Sequence, residues 1–463
     1  VLKYFRGSKQ SAVPILPLSP LHFHSWLSGQ NEFTQNWVRL QNFTGQSGRH
    51  VLLPAPNGKI SSVLLGIDGI EDIWSYSSLP LSLPEGHYQL TLGPTSISSY
   101  HACLGWALGS YQYDRYKKSE KQPVTLEWPD HVDQKEIEYV AEAIFLVRNL
   151  ITTPAEDMGP AELAKTAEMI AQKYQASYQC LTGEDLLKQN YPSIHMVGRA
   201  SSRPPRLIDM RWGKSGMKIT LVGKGVCFDS GGLDIKSASN MLLMKKDMGG
   251  AAHVLGLASL IMAAGLPVRL RVLVPAVDNS ISGNAYRPLD VIRSRSGITV
   301  EVGDTDAEGR LILSDALTEA CSEKPDLLID FATLTGAARV ALGPDLPAFF
   351  CNKDDLAQDL INCSQQQKDP LWRLPLYNPY RKWLESKVAN LHSTGESSYG
   401  GAIVAALFLQ EFVTAETPWI HLDLMAWNQR QLPGKPVGGE AMALRAVYAL
   451  IKEKATAKNP PKI

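Results

Sequence analysis

The feature that most constrains this chain is an alternation in its last two-thirds. Near-continuous apolar runs at 206–212, 219–222, 269–275, 327–331 and 419–424 are separated by long segments with helical periodicity. A strand covered on both faces reads as an unbroken apolar run, and parallel strands need crossover connections, which are normally helices. The pattern predicts an α/β unit with a mixed, mainly parallel sheet flanked by helices. In such sheets ligands bind at the strand ends, so any site is expected there.

At 463 residues the chain exceeds what one core usually serves, and at about 150 residues per domain it should form two or three. The first ~125 residues, rich in Ser, Pro and aromatics, carry short β-like runs at 62–67 and 88–92 and no catalytic constellation. His22 and His24 lie in what reads as a Pro-rich loop without acidic or Cys neighbours, so they are expected to be surface residues. Ile137, Val140, Ala141, Ile144 and Val147 form a helical stripe that closes before Pro154. The expected division is therefore an N-terminal domain at 1–125, a linker helix within 126–150 and a catalytic domain at 151–463. The tail at 452–463, rich in Lys and Pro, is expected to fray.

Forty-six Lys and Arg balance 46 Asp and Glu, which excludes a global basic field for holding nucleic acid. The six cysteines are scattered without a Cys-x-x-Cys pair, which fits free thiols in a reducing cytoplasm. No apolar run reaches the ~18 to 20 residues that span a bilayer, so no membrane partner is expected.

Two segments concentrate chemically capable groups. Residues 221–236 read Leu-Val-Gly-Lys-Gly-Val-Cys-Phe-Asp-Ser-Gly-Gly-Leu-Asp-Ile-Lys and lead to Met-Lys-Lys-Asp-Met-Gly-Gly-Ala-Ala at 244–252; residues 302–311 read Val-Gly-Asp-Thr-Asp-Ala-Glu-Gly-Arg-Leu. A phosphate loop does not fit. Gly213-Lys214-Ser215 has Ile208 at the first-glycine position, and Gly223-x-Gly225 is followed by Phe228 where a dinucleotide fingerprint needs glycine. If 302–311 is extended, Asp304, Asp306, Glu308 and Arg310 project on one side. So many carboxylates repel one another unless cations hold them, and hard oxygen ligands suit magnesium, manganese or zinc. Two such ions suit hydrolysis. Asp229 and Asp247 would complete the ligand shell.

These two segments resemble the signature motifs of the cytosolic leucyl aminopeptidases, in the right order, with further likeness at 400–406 and at His421-Leu-Asp423. The resemblance implies a small N-terminal α/β domain, used for oligomerisation or regulation, and a larger catalytic domain. Its activity would be release of N-terminal residues, Leu-like or Met-like preferred, from peptides with a free N-terminus, through two divalent metals and a bridging hydroxide. By position, Lys224, Asp229, Asp247 and Glu308 would bind the tighter ion, and Asp229, Asp306 and Glu308 the more exchangeable one. Zinc or manganese is expected, with magnesium or cobalt as alternatives. Lys224 would act as a neutral amine. Lys236 and Arg310 would be catalytic, the first stabilising the oxyanion and the second holding bicarbonate; Met244, Thr333 and Gly336 would line the substrate pocket. A homohexamer in the cytoplasm is implied as well. Some relatives also bind DNA, so a DNA-binding regulator is the alternative, disfavoured by the balanced charge and the lack of a helix-turn-helix signal.

Three departures stand out. Asp304 replaces the family's usual Asn, Asp234 replaces a small residue and is expected to pair with Lys236, and Leu424-Met425-Ala426-Trp427-Asn428 replaces a run of small residues beside the pocket. His253 and His421 are expected to be structural, and Cys227 a buried thiol.

Overall fold

The computed structural model describes residues 2–7, 12–68, 73–91 and 98–458. Two compact units emerge, Val1–Phe145 with Arg430–Val437, and Leu146–Gln429 with Gly438–Ile463. The boundary falls inside the helix Gln134–Thr152, at Phe145.

In the first unit, six strands among the described residues form one sheet in the order Phe5–Arg6, Thr125–Glu127, His87–Leu90, Val13–Leu18, Ile60–Gly66, His50–Pro54. Only the last pair is antiparallel. Thr125–Glu127 belongs to this sheet, and Ile137 and Ala141 belong to its core with Val63, Leu65 and Trp106. The segment Arg430–Val437 returns to this unit, where the Lys435 ammonium lies 4.4 Å from the Trp74 ring centre. His22 lies on the helix Pro20–Ser28, not in a loop, because Pro20 is preorganised for a first helical turn. Of the β-like run at 88–92, Leu92 lies outside the described residues.

In the second unit, the described strands run in the order Trp372–Arg373, Ala348–Cys351, Trp419–Asp423, Leu327–Ala332, Met217–Gly223, Val268–Asn279, Arg206–Trp212, Ser177–Thr182, and Gly225–Asp229 pairs with the far end of Val268–Asn279. The four strands at the centre of this order are mutually parallel. Antiparallel pairs form toward both margins. This is the mixed, mainly parallel sheet expected, with every residue of Leu327–Ala332 buried. Asp330 is the polar exception in that strand. Its carboxylate accepts from Trp419 Nε1 at 2.7 Å and pairs with His421 Nδ1 at 2.6 Å, so His421 is structural. Burial alone would lower its pKa, but Asp330 raises it.

The helix Gly249–Ala263 lies directly against this sheet. A Cβ on Gly250 would fall 2.0 Å from the Phe331 carbonyl oxygen, so glycine is required for the approach. The helix Leu444–Lys458 corrects the expectation of a frayed tail at 452–458: Ile451 and Ala455 are buried at helical spacing. The rest of that tail, 459–463, lies outside the described residues. No helix among the described residues is long and apolar enough to cross a membrane.

His253 is fully buried in the Gly249–Ala263 helix, with Nδ1 2.6 Å from the Gly249 carbonyl and Nε2 accepting from Met442 N at 2.9 Å. One nitrogen donates and the other accepts, which is the neutral ring, and burial lowers its pKa to about 4. The unfolded chain takes up this proton near pH 6.5 and the folded chain only near 4. Neutral His253 therefore contributes about 3 kcal/mol above pH ~6.5, and this is lost as pH falls through the window. Thermal unfolding followed from pH 7 to 4 should show a steeper loss for the wild type than for His253→Gln, which gains no proton.

Candidate metal centre

The site forms where the parallel strands end. Lys224 is the single residue between the strands Met217–Gly223 and Gly225–Asp229. Its N–H donates to Phe331 O at 3.0 Å and its carbonyl accepts from Ala251 N at 2.8 Å, which fixes its backbone between strand and helix. The residue is 3% exposed. Its ammonium lies 2.8 Å from Asp247 Oδ2 and 2.9 Å from Glu308 Oε1. Burial disfavours this charge, but Asp247, Glu308 and Asp229 outweigh it and raise the Lys224 pKa above that of an ordinary lysine.

Asp229 ends its strand, and its Oδ1 accepts from Asn279 Nδ2 and Gly231 N, both at 2.9 Å. The other oxygen lies 2.8 Å from Lys236 Nζ, which also pairs with Asp306. Asp247 follows the single turn Met244–Lys246, and its Oδ1 accepts from Thr333 Oγ1 at 2.7 Å. Glu308 opens the helix Glu308–Ser322. Oxygens of Asp229, Asp306 and Glu308 all lie within 4.8 Å of one another. Glu308 Oε1 is buried and has no hydrogen bond, its contact with Lys224 being an ion pair off hydrogen-bond geometry.

The electrostatics report crowding. Burial and the Asp229 charge raise the pKa of Asp306 to about 7 against the pull of Lys236, and the same two causes push Glu308 upward. Burial would raise Asp247 too, but Lys224 and Lys246 hold it low. Lys236 loses by burial and gains more from Asp229 and Asp306, so it stays protonated.

Residues 305–310 are not extended. Asp304 caps the turn Thr305–Ala307, accepting from Asp306 N at 2.7 Å, and the α-helix begins at Glu308. The turn, not strand alternation, gathers the carboxylates. Asp234 does not pair with Lys236 either. Its Oδ2 accepts from Thr305 N at 2.8 Å, because Lys236 is already engaged by two carboxylates.

Thr305, which the sequence did not single out, joins the two motifs: its hydroxyl donates to Gly231 O at 2.6 Å and accepts from Asp234 N at 2.8 Å. Asn279 links Asp229 to Thr305 O and was likewise missed; its only signal is its place at the end of an apolar strand. Arg310 is 8% exposed, donates through Nη1 to Ser393 O at 2.6 Å and has a buried Nε without a partner; burial lowers its pKa to about 10. Of the expected pocket residues, Thr333 is tied to Asp247, half-buried Met244 opens the turn that leads to Asp247, and Gly336 starts the helix Gly336–Leu342. Cys227 is a buried thiol whose pKa burial raises.

Residues 145–448 match the cytosol aminopeptidase family catalytic domain, and 13–129 match the M17 aminopeptidase N-terminal domain. A probable cytosol aminopeptidase of Syntrophotalea carbinolica is 41% identical over 369 residues, 76% of this chain and 74% of that protein. The crystal structure of cytosol aminopeptidase from Coxiella burnetii superposes with a TM-score of 0.95 at 49% identity, covering 98% of this chain and 100% of that one. The bottromycin maturation enzyme BotP in complex with Mn has a TM-score of 0.87 at 30% identity, with 96% and 100% covered. Fold and site thus define a metallopeptidase, a hydrolase. The chain belongs to the cytosol aminopeptidase family, M17.

A Cβ on Gly309 would lie 2.4 Å from Lys224 Cε, the far part of a flexible side chain. Gly309→Ala should therefore leave the melting temperature within a few degrees of wild type while displacing the Lys224 amine. Hydrolysis of Leu-p-nitroanilide should fall at least about tenfold, since sub-ångström misplacement of a site group is costly.

Proposed function

We propose that this aminopeptidase holds two divalent ions through Lys224, Asp229, Asp247, Asp306 and Glu308 and releases N-terminal residues from peptides whose amino terminus is free. The observation that carries this reading is the carboxylate triad of buried Asp229 and Glu308 with half-buried Asp306, in which a Glu308 oxygen lacks any hydrogen bond. Four carboxylates against two ammonium groups is a donor set suited to dications, and the hard oxygen ligands fit zinc or manganese, or else magnesium or cobalt. Manganese has the support of a relative in complex with Mn.

Lys224, Asp229, Asp247 and Glu308 would hold the tighter ion, and Asp229, Asp306 and Glu308 the exchangeable one, so that Asp229 and Glu308 are shared. Lys224 would ligate as a neutral amine, its proton no longer held by carboxylates that face a cation. The ions supply Lewis-acid polarisation of the scissile carbonyl and an activated water. Lys236, kept protonated by Asp229 and Asp306, donates to the developing oxyanion. The unpartnered Nε of Arg310 offers a donor to a bicarbonate. Met244 gives the first-residue pocket an apolar wall beside Thr333 and Gly336, which suits Leu-like or Met-like side chains. A homohexamer in the cytoplasm, with residues 1–125 serving assembly or regulation, completes the reading; the relatives' name, cytosol aminopeptidase, supports the location. The alternative of a DNA-binding regulator has no supporting observation.

Chelation should abolish hydrolysis of Leu-p-nitroanilide, and reloading with Mn or Zn should restore it. Glu308→Ala should lose activity and bound metal together, as measured by elemental analysis. Lys236→Ala should keep its metal while kcat drops about 10²- to 10³-fold. Equal metal loss in the two variants would refute this division of roles.

A further inference from the structure

We propose that the sheet of the first unit carries a second site, for a free α-amino acid whose carboxylate Arg6 takes and whose ammonium Glu127 takes. The binding groups stand on their own; that the ligand is also this enzyme's product rests on the aminopeptidase reading above.

Glu127 is 7% exposed, yet its Oε1 is buried without a hydrogen bond, and no ion pair among the described residues reaches its carboxylate. Buried carboxylates are almost always paired, because desolvation disfavours the charge. Arg6, the in-register neighbour of Glu127 on the adjacent strand, has the complementary defect: its Nε and Nη2 are both buried and both lack an acceptor. These two N–H groups form one edge of the guanidinium, the fork that receives both oxygens of a carboxylate. The two side chains do not satisfy each other, although their strands are paired. Arg6 thus lacks an acceptor and Glu127 a donor. A molecule with a carboxylate and an ammonium on the same carbon supplies both.

The sheet sets these groups beside a cavity. Phe5, Leu126 and Tyr88 belong to the apolar core, so Arg6, Thr125, Glu127 and His87, which alternate with them, share the opposite face. His87 and Thr125 are paired in register and bonded through Nδ1 and Oγ1 at 2.5 Å. Together with Glu85, Glu120 and Lys121 they line a cavity of about 610 Å³. Small-molecule sites typically run from ~300 to 1,000 Å³. Glu127 follows Thr125 by two residues on that face. Burial lowers the His87 pKa, Arg6 lowers it further, and Glu127 and Glu85 oppose them, so the arginine and the glutamate both act at the ring that lines the cavity. The lining itself is mixed in charge, Lys121 against Glu85 and Glu120, which suits a zwitterion better than a bare anion or cation.

The test is isothermal titration calorimetry of L-leucine into the full chain after EDTA treatment, so that no ion at the metal centre holds the ligand. The wild type should bind one L-leucine per chain. L-leucinamide, which has no carboxylate, and N-acetyl-L-leucine, which has no ammonium, should each bind at least about tenfold more weakly, as expected for losing hydrogen bonds to a charged group. Arg6→Met and Glu127→Gln should each weaken leucine binding about 10- to 100-fold. Arg6→Lys, which keeps the charge and loses the fork, should fall between Arg6→Met and wild type. After metal reloading, these variants should hydrolyse Leu-p-nitroanilide like wild type, which excludes misfolding as the cause. The three-ligand comparison uses wild type alone, so it decides the matter even where a variant does not fold. Absence of leucine binding overturns the inference. So does binding that either derivative equals, or that Arg6→Met and Glu127→Gln leave unchanged. A chain that binds leucine as expected but cleaves no Leu-p-nitroanilide after reloading supports the site and overturns the aminopeptidase reading.

Discussion

Four carboxylates confined in one cluster and answered by two ammonium groups are the constraint on which the rest of the catalytic unit depends. Buried like charges repel strongly at low dielectric, so such a cluster persists only if rigid elements hold each member in place. Here every member comes from a different local structure: Asp229 from a strand end, Asp247 from a turn before a helix, Asp306 from a turn after a short strand, Glu308 from a helix start. The sheet end supplies Asp229, and the turns and helix start set the other three carboxylates around it. The close approach has steric consequences as well, because Gly250 and Gly309 sit where a Cβ would strike the Phe331 carbonyl or the Lys224 side chain.

Around the charged groups stands a set of neutral residues that fixes their rotamers. Asn279 holds Asp229 and Thr305 together, Tyr286 donates to Thr305 O at 2.7 Å, and Thr333 anchors Asp247. Partners of this kind orient ligating carboxylates and tune their basicity. Thr305 is central because it bonds to both motif segments at once, so the loop at 229–236 and the turn at 305–307 cannot move independently.

Much of this was legible in the sequence. Four of the five unbroken apolar runs correspond to the central parallel strands, because burial on both faces leaves no room for polar alternation, and the fifth, 206–212, is their antiparallel neighbour. The strands Ser177–Thr182 and Trp372–Arg373 were not legible, being partly exposed and, in the second case, two residues long. The motifs located the carboxylates but misjudged their geometry: extended and 3-10 backbones both place Asp304, Asp306 and Glu308 near one another, and only the Asp304 cap distinguishes them. The expected Asp234 to Lys236 pair failed for a similar reason. Proximity along the chain says little when a buried backbone N–H, that of Thr305, competes for the same carboxylate and Lys236 has better partners.

Three lysines, two buried and one half-buried, make the same point about function. Lys224, Lys236 and Lys246 share one side-chain chemistry and lie within one stretch of chain, yet the fold gives them different neighbours. Lys224 meets two carboxylates in near-complete burial, Lys236 meets two at a partly open edge, and Lys246 meets none within pairing distance. What separates Lys246 from Lys245 is one step of a tight turn, which sends the first side chain inward and leaves the second to reach Thr152 and lie 5.2 Å from the Trp427 ring centre. A lysine's role is thus set by which anions its backbone position lets it reach.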